Sequence, residues 1–257
     1  MRLVTFAASI TLSSVLLAGL ALLVADPAHP SNPRTPPRPV LLELFTSEGC
    51  SSCPPADRLL ESFDRTQPVA GADLIVLSEH VDYWNRLGWV DPFSSAQFTQ
   101  RQQDYVSRLH LDTAYTPQLV IDGRREVIGS DERAARAAIL KSEADAKAAI
   151  ALGAQRSGGN VKIQLKVAEA ARGAVVFVAL ANDHTQSHVT RGENSGHTLA
   201  HVAVVRTMVQ TGKADAQGSF AKDLTLPLQD GAGPWRVVVF VEDAGSKQIL
   251  GAAQARL

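Results

Sequence analysis

The chain has 257 residues, 45% hydrophobic and 20% charged, enough for one large or two ordinary globular domains. A net charge of −1 excludes the electrostatic footprint of a nucleic-acid binder. With only two cysteines, Cys50 and Cys53, a four-cysteine zinc site is excluded.

The N-terminus reads as an export signal. Arg2 precedes an almost wholly apolar run, Leu3–Ala25, and Gly19-Leu20-Ala21 fits a small-x-small cleavage rule. The run is also long enough to span a bilayer, so a cleaved signal and an uncleaved anchor both stand. Either way the cysteines reach an oxidising compartment, periplasmic or extracellular. Without a twin arginine, general secretion is the expected route. Residues 26–38 are proline-rich and read as an extended linker.

The run Val40–Phe45 predicts a strand buried on both faces. A polar turn, Cys50-Ser-Ser-Cys53, and a helix from Pro54 to about Phe63 follow. This is the layout of a redox dithiol, because the free N–H groups and positive dipole at a helix N-terminus favour a thiolate. Pro54 and Pro55 start the regular helix, leaving Cys50 just ahead of it. The expectation is that Cys50 is the exposed nucleophile and Cys53 the buried resolving thiol. A static crosslink and half of a metal site are the other readings of the pair, although a crosslink closing so short a loop stabilises little.

Asp73–Glu79 predicts a second strand, completing a β-α-β unit with parallel strands. The segment His80–Phe93 then reads as an aromatic loop at the strand ends that carry Cys50. His80, Trp84 and Trp89 are candidate substrate-binding residues, with Asp82 beside them, or the aromatics fold inward and plug the loop. Ser94 caps a helix running to about His110. Thr116-Pro117 opens a strand over residues 118–121, and the Asp122-Gly123 turn joins it to Glu126–Ile128. A cis Thr116-Pro117 bond beside the cysteines is expected, leaving the Thr116 backbone free for an extended substrate. Ser130 caps an alanine-rich helix to about Ile150.

Helical periodicity stops around 155–160. Strand-like runs follow at 161–167, 174–181, 200–209, 224–228, 235–241 and 249–253, separated by turn signals that include Asp230-Gly231. They predict a second, all-β domain over 158–257, an immunoglobulin-like sandwich. His184, His188, His197 and His201 read as loop histidines, with metal binding the alternative because His184 and His188 would share a strand face, although no carboxylate or cysteine has ligand spacing. Arg191–Gly196 reads as a polar loop able to dock on the first domain or on a partner.

The order of elements over 39–153 resembles the thioredoxin fold. More narrowly, Leu44–Asp57, His80–Trp84 and Arg191–Leu199 resemble a family of secreted thioredoxin-like bacterial proteins, the domain-of-unknown-function family 1223. The resemblance implies an α/β thioredoxin-like domain, a dithiol at Cys50 and Cys53, and a cis-proline at Pro117. Glu43 lies near the buried carboxylate that relays protons to the resolving cysteine in thioredoxins, and the alternative is an acid paired with an arginine. Two departures stand out: Gly49 replaces the usual aromatic residue, and Ser51-Ser52 separates the cysteines. Glu48 and Asp57 disfavour a thiolate at Cys50, while Arg58 favours it.

The expected function is an exported thiol–disulfide oxidoreductase with no cofactor. Cys50 and Cys53 would react, Thr116 and Pro117 would hold the substrate, and Glu43 would move a proton. Its partners would be a protein thiol or disulfide and a redox protein, with no nucleic acid and no membrane beyond an uncleaved anchor. The alternatives are a copper(I) carrier using the cysteines and His80, and a non-catalytic protein that binds partners through an edge strand.

Overall fold

The computed structural model describes residues 3, 36–229 and 233–257. The signal or anchor run, most of the linker and the Asp230-Gly231 turn lie outside them. Among the described residues, no helix is long and apolar enough to cross a membrane.

The first half builds the elements its periodicity predicts. Strand β1 (Arg38–Thr46) is buried from Val40 onward. Helix α1 (Pro54–Thr66) starts on its two prolines and buries Ala56, Leu60 and Phe63. Strand β2 (Ala72–His80) pairs parallel to β1 along its whole length. Helix α2 (Ala96–Arg108) is capped by Ser95, one residue later than expected, whose side chain accepts from the Gln97 N–H. The hairpin β3 (Gln118–Ile121) and β4 (Arg125–Ile128) adds antiparallel to β1.

Helix α3 (Glu132–Glu143) is capped by Asp131 rather than Ser130 and ends seven residues before Ile150. Residues expected to continue it form β5 (Ala149–Ser157) instead. There Ile150, Leu152 and Ala154 alternate with exposed neighbours. That is a period of two, which tertiary packing rewards over alanine's helix propensity.

The remaining strands are β6 (Asn160–Ala168), β7 (Val175–His188), β8 (Thr198–Lys213), β9 (Phe220–Pro227), β10 (Trp235–Glu242) and β11 (Ile249–Arg256). Here the expected fold class, a thioredoxin-like α/β domain followed by an immunoglobulin-like sandwich, is overturned. Strands of both halves join in one eight-stranded mixed sheet, ordered β11-β10-β7-β8-β2-β1-β3-β4. The seam is a short parallel pairing of β2 with β8, Ser78 opposite Val204. Among the described residues, β5, β6 and β9 form a second, antiparallel sheet.

Burial gives the physical reason. The three-stranded sheet covers one face of the large sheet, packing Val161, Ile163, Leu165 and Val167 on Val176, Val178, Leu180, Val237, Val239 and Val241. The other face of the same strands joins the core of the first half, through Ala179, Ala181, Val205, Val238 and Phe240. Strand β10 throughout, β7 over Val178–Ala181 and β8 over His201–Val205 are therefore buried on both sides. A sandwich strand would be buried on one. Elements β1 to β11 belong to one compact unit.

Candidate functional site

The site is the turn between β1 and α1. The Cys50 N–H donates to the Ser47 carbonyl (3.1 Å), and the Cys53 N–H to the Cys50 carbonyl (3.2 Å). Cys53 is the helix N-cap, with helical φ and ψ, and Pro54 and Pro55 follow it. Cys50 and Cys53 form a disulfide with their Cα atoms 5.4 Å apart.

The exposure expected of Cys50 is not found: both cysteines are 0% exposed. Two distant segments pack on the turn that holds them. Trp84 lies over the turn, its Cβ 3.0 Å from where a side chain on Gly49 would begin. This accounts for a glycine before Cys50, because Trp84 fills that space. The other segment is the loop between β7 and β8. Asn194 Nδ2 donates to the carbonyls of Glu48 (2.9 Å) and Cys50 (3.0 Å). The Glu193 carboxylate accepts the Ser51 N–H (3.0 Å), which holds its titration below the usual glutamate range. The polar loop Arg191–Gly196 thus docks on the dithiol turn.

Trp84 meets the dithiol turn at Gly49, and Pro117 lies by the first turn of α1. The Thr116-Pro117 peptide is cis. Pro117, Leu44 and Ala56, three residues after Cys53, converge on Gly129. Trp84 Nε1 donates to Thr116 Oγ1 (2.8 Å), tying the aromatic loop to the proline loop. Both tryptophans are half-buried, and Trp89 Nε1 donates to Glu48 Oε2 (2.8 Å). Leu87 and Val90, between and beside them, are exposed.

Beside the disulfide lies a buried charge cluster. Glu48 is two residues before Cys50. Asp57 is one helical turn after Cys53, on the same face of α1. Between these two carboxylates sits His201 of β8, 4% exposed, with Nε2 3.3 Å from Glu48 Oε1 and Nδ1 3.7 Å from Asp57 Oδ1. Burial opposes the imidazolium, but Asp57 and Glu48 outweigh burial and push His201 up to about 10. The two carboxylates thus favour the imidazolium form of His201. The His80 ring meets it edge-on at 4.7 Å, and Phe93 packs against both.

His80 turns to Asp91, with Nδ1 2.7 Å from Oδ2, the oxygen that also accepts the Glu48 N–H (2.8 Å). Burial would raise Asp91, but His80 and the N–H groups of Glu48 and Phe93 hold it below the usual aspartate range. His80 thus braces the cluster from behind. Among the described residues, no group of three or more histidine, cysteine, aspartate or glutamate side chains is placed to hold a metal ion.

Glu43 is not brought to this site. Leu44 points toward α1, so strand alternation puts Glu43 on the opposite face of the sheet. There Glu43 accepts from Arg101 Nε (2.6 Å) and Tyr105 OH (2.6 Å). Arg101 also bonds Glu242 of β10 (2.8 Å) and stands 3.8 Å from Glu79. The arginine pairing is the reading that the geometry gives Glu43. Burial, with Glu43 adding to it, keeps Glu79 well above the usual glutamate range.

Asn194, Asp91 and His201 escape a reading by motif. His201 leaves one signal, its place inside the run 200–209, which itself predicts a buried strand rather than the loop expected for it. His184 and His188 also lie on a strand, β7.

The crystal structure of a protein from Agrobacterium tumefaciens is similar at 28% identity and a TM-score of 0.65, over 86% of this chain and 95% of that one. A hypothetical protein from Pyrococcus horikoshii matches 44% of this chain and 90% of its own at 11% identity, with a TM-score of 0.25. OgpA from Akkermansia muciniphila matches 44% of this chain and 28% of its own at 10% identity, also with a TM-score of 0.25. No curated protein matches. The model of a family described as proteins of unknown function, family 1223, matches residues 41–242. The chain belongs to that family.

Proposed function

We propose that the protein is an exported thiol–disulfide oxidoreductase acting on protein thiols or disulfides through Cys50 and Cys53. The observation that supports this reading is the buried Glu48–His201–Asp57 cluster beside the disulfide. Burying two carboxylates and an imidazolium costs several kcal/mol that pairing only partly returns. An inert crosslink gains nothing from them. Dithiol chemistry does, because opening the disulfide releases a thiolate that must take a proton, and closing it returns that proton.

In the oxidising direction, a client thiolate attacks Cys50 Sγ and the Cys50–Cys53 bond breaks. Cys53 leaves as a thiolate and takes a proton. A second client thiolate then attacks the client sulfur of the mixed disulfide, forming the client disulfide and leaving both cysteines reduced. A disulfide-bearing redox partner reoxidises the pair by the same exchange. In the reducing direction the steps reverse, and a dithiol partner supplies the two electrons. The apolar Leu3–Ala25 run supports an exported location, where such exchange is feasible.

The complete burial of both cysteines favours a second reading, a static crosslink. Trapping separates the two. Cys53→Ser should accumulate mixed disulfides through Cys50 with client proteins, read by non-reducing electrophoresis and mass spectrometry. A Cys53→Ser protein whose Cys50 reacts with a small alkylating reagent yet collects no adducts would leave the crosslink standing.

A further inference from the structure

An oxidoreductase whose disulfide is fully buried needs a way in. The loop between β7 and β8 is built to provide one. It is closed on itself by backbone bonds: Gly196 N–H to the Val189 carbonyl (2.8 Å), Val189 N–H to the His197 carbonyl (2.9 Å), and His197 N–H to the Asn194 carbonyl (3.1 Å). It can therefore move as a unit without unpairing β7 from β8. From Arg191 to His197 only Asn194 is buried.

The loop's hold on the dithiol turn is polar and slight. Asn194 donates to the Glu48 and Cys50 carbonyls, Glu193 accepts from Ser51, and Gly192 rests on Trp89. No large apolar side chain of the segment is driven into the body, so hydrophobic burial does not fasten it. Lifting it would uncover two carbonyls and one N–H. A polypeptide segment can satisfy these with its own donors and acceptor. Acidic conditions weaken the hold, since protonating Glu193 removes the charge that accepts the Ser51 N–H.

We propose that Arg191–His197 is a gate over the Cys50–Cys53 disulfide and that Asn194 is its latch. The gate's role in admitting a client rests on the oxidoreductase reading. The presence of the gate is testable without any client.

The probe is tris(2-carboxyethyl)phosphine on the oxidised full-length protein. The phosphine attacks one sulfur and the S–S bond breaks. Water supplies the oxygen of the phosphine oxide and the protons of two thiols. Thiol release is followed by alkylation and mass spectrometry. Asn194→Ala should be reduced at least tenfold faster than the wild type. Ile163→Ala, a cavity in the core under the three-stranded sheet, controls for general loss of stability and should keep the wild-type rate. Equal rates for Asn194→Ala and the wild type would overturn the gate. So would equal acceleration in Ile163→Ala, which would mean that access comes through global unfolding. Failure to trap clients with Cys53→Ser would overturn the oxidoreductase reading and leave the phosphine result untouched.

Discussion

Two of the buried charge clusters on the large sheet, those of Arg101 and His201, are bonded very differently. Around Arg101, guanidinium nitrogens reach Glu43, Glu242 and Tyr105 at 2.6–2.9 Å, with Phe177 and Phe240 stacked at 5.6 and 5.1 Å. Around His201 the carboxylates stand at 3.3 and 3.7 Å, long for hydrogen bonds. An arginine holds its proton under all ordinary conditions, whereas an imidazole can give it up. The first cluster rivets β1, α2 and β10 together. The second is loose, titratable and set against a disulfide. Charge burial alone therefore does not mark a functional site; bond geometry and the identity of the cation do.

The sharpest way to break that contrast is to remove each cation. Arg101→Ala strands Glu43 and Glu242, along with Glu79 3.8 Å away, in the core. Loss of a buried partner costs about 3–5 kcal/mol, so urea unfolding should show the largest drop of any single change here. Phosphine reduction of the folded protein should stay at the wild-type rate, because the rivet lies on the other face from α1.

His201→Gln tests the second cluster through pH. A histidine raised from 6.5 to about 10 contributes stability that is fully present below pH 6.5 and lost as pH climbs through about 10. The groups facing it are Glu48, Asp57 and His80, with Asp91 behind His80. Wild-type unfolding free energy should therefore fall between pH 6.5 and 10 by on the order of a few kcal/mol more than that of His201→Gln. Parallel curves for the two proteins would mean that His201 does not carry the charge assigned to it.

The same contrast explains what the sequence could show. The β1–α1–β2 unit, the Cys-x-x-Cys turn, the Asp122-Gly123 hairpin and most C-terminal strands follow from local periodicity and turn chemistry. The cis bond at Thr116-Pro117 followed from context. Periodicity reports which faces of a strand are apolar, but not which strand lies beside it. Nothing in 74–79 or 200–209 says that Ser78 meets Val204, and that one pairing changes the fold class. The covered state of Cys50 was hidden for a related reason. Asn194, which bonds the Cys50 carbonyl, is 144 residues away, and an asparagine in a polar loop looks like any other. Glu43 and His201 show the same limit. Strand alternation decides which carboxylate meets which cation, and only the assembled sheet fixes the partners.

The smallest expected effect on stability discriminates most finely between holding the fold and holding the gate. Gly192 has φ +75°, in the left-handed region, and a Cβ there would come within 3.2 Å of Trp89 Cβ. Gly192→Ala should cost about 1–2 kcal/mol locally, from backbone strain plus the crowding. The crowding falls on the closed loop alone, since the raised loop no longer meets Trp89. The closed gate is thereby destabilised relative to the open one. A shift of about 1.4 kcal/mol is tenfold in the open population. Phosphine reduction should thus accelerate by up to about tenfold, while the Arg101 cluster and the slope of stability against pH stay as in the wild type. A lower melting temperature without faster reduction would mean that the loop is simply part of the folded body.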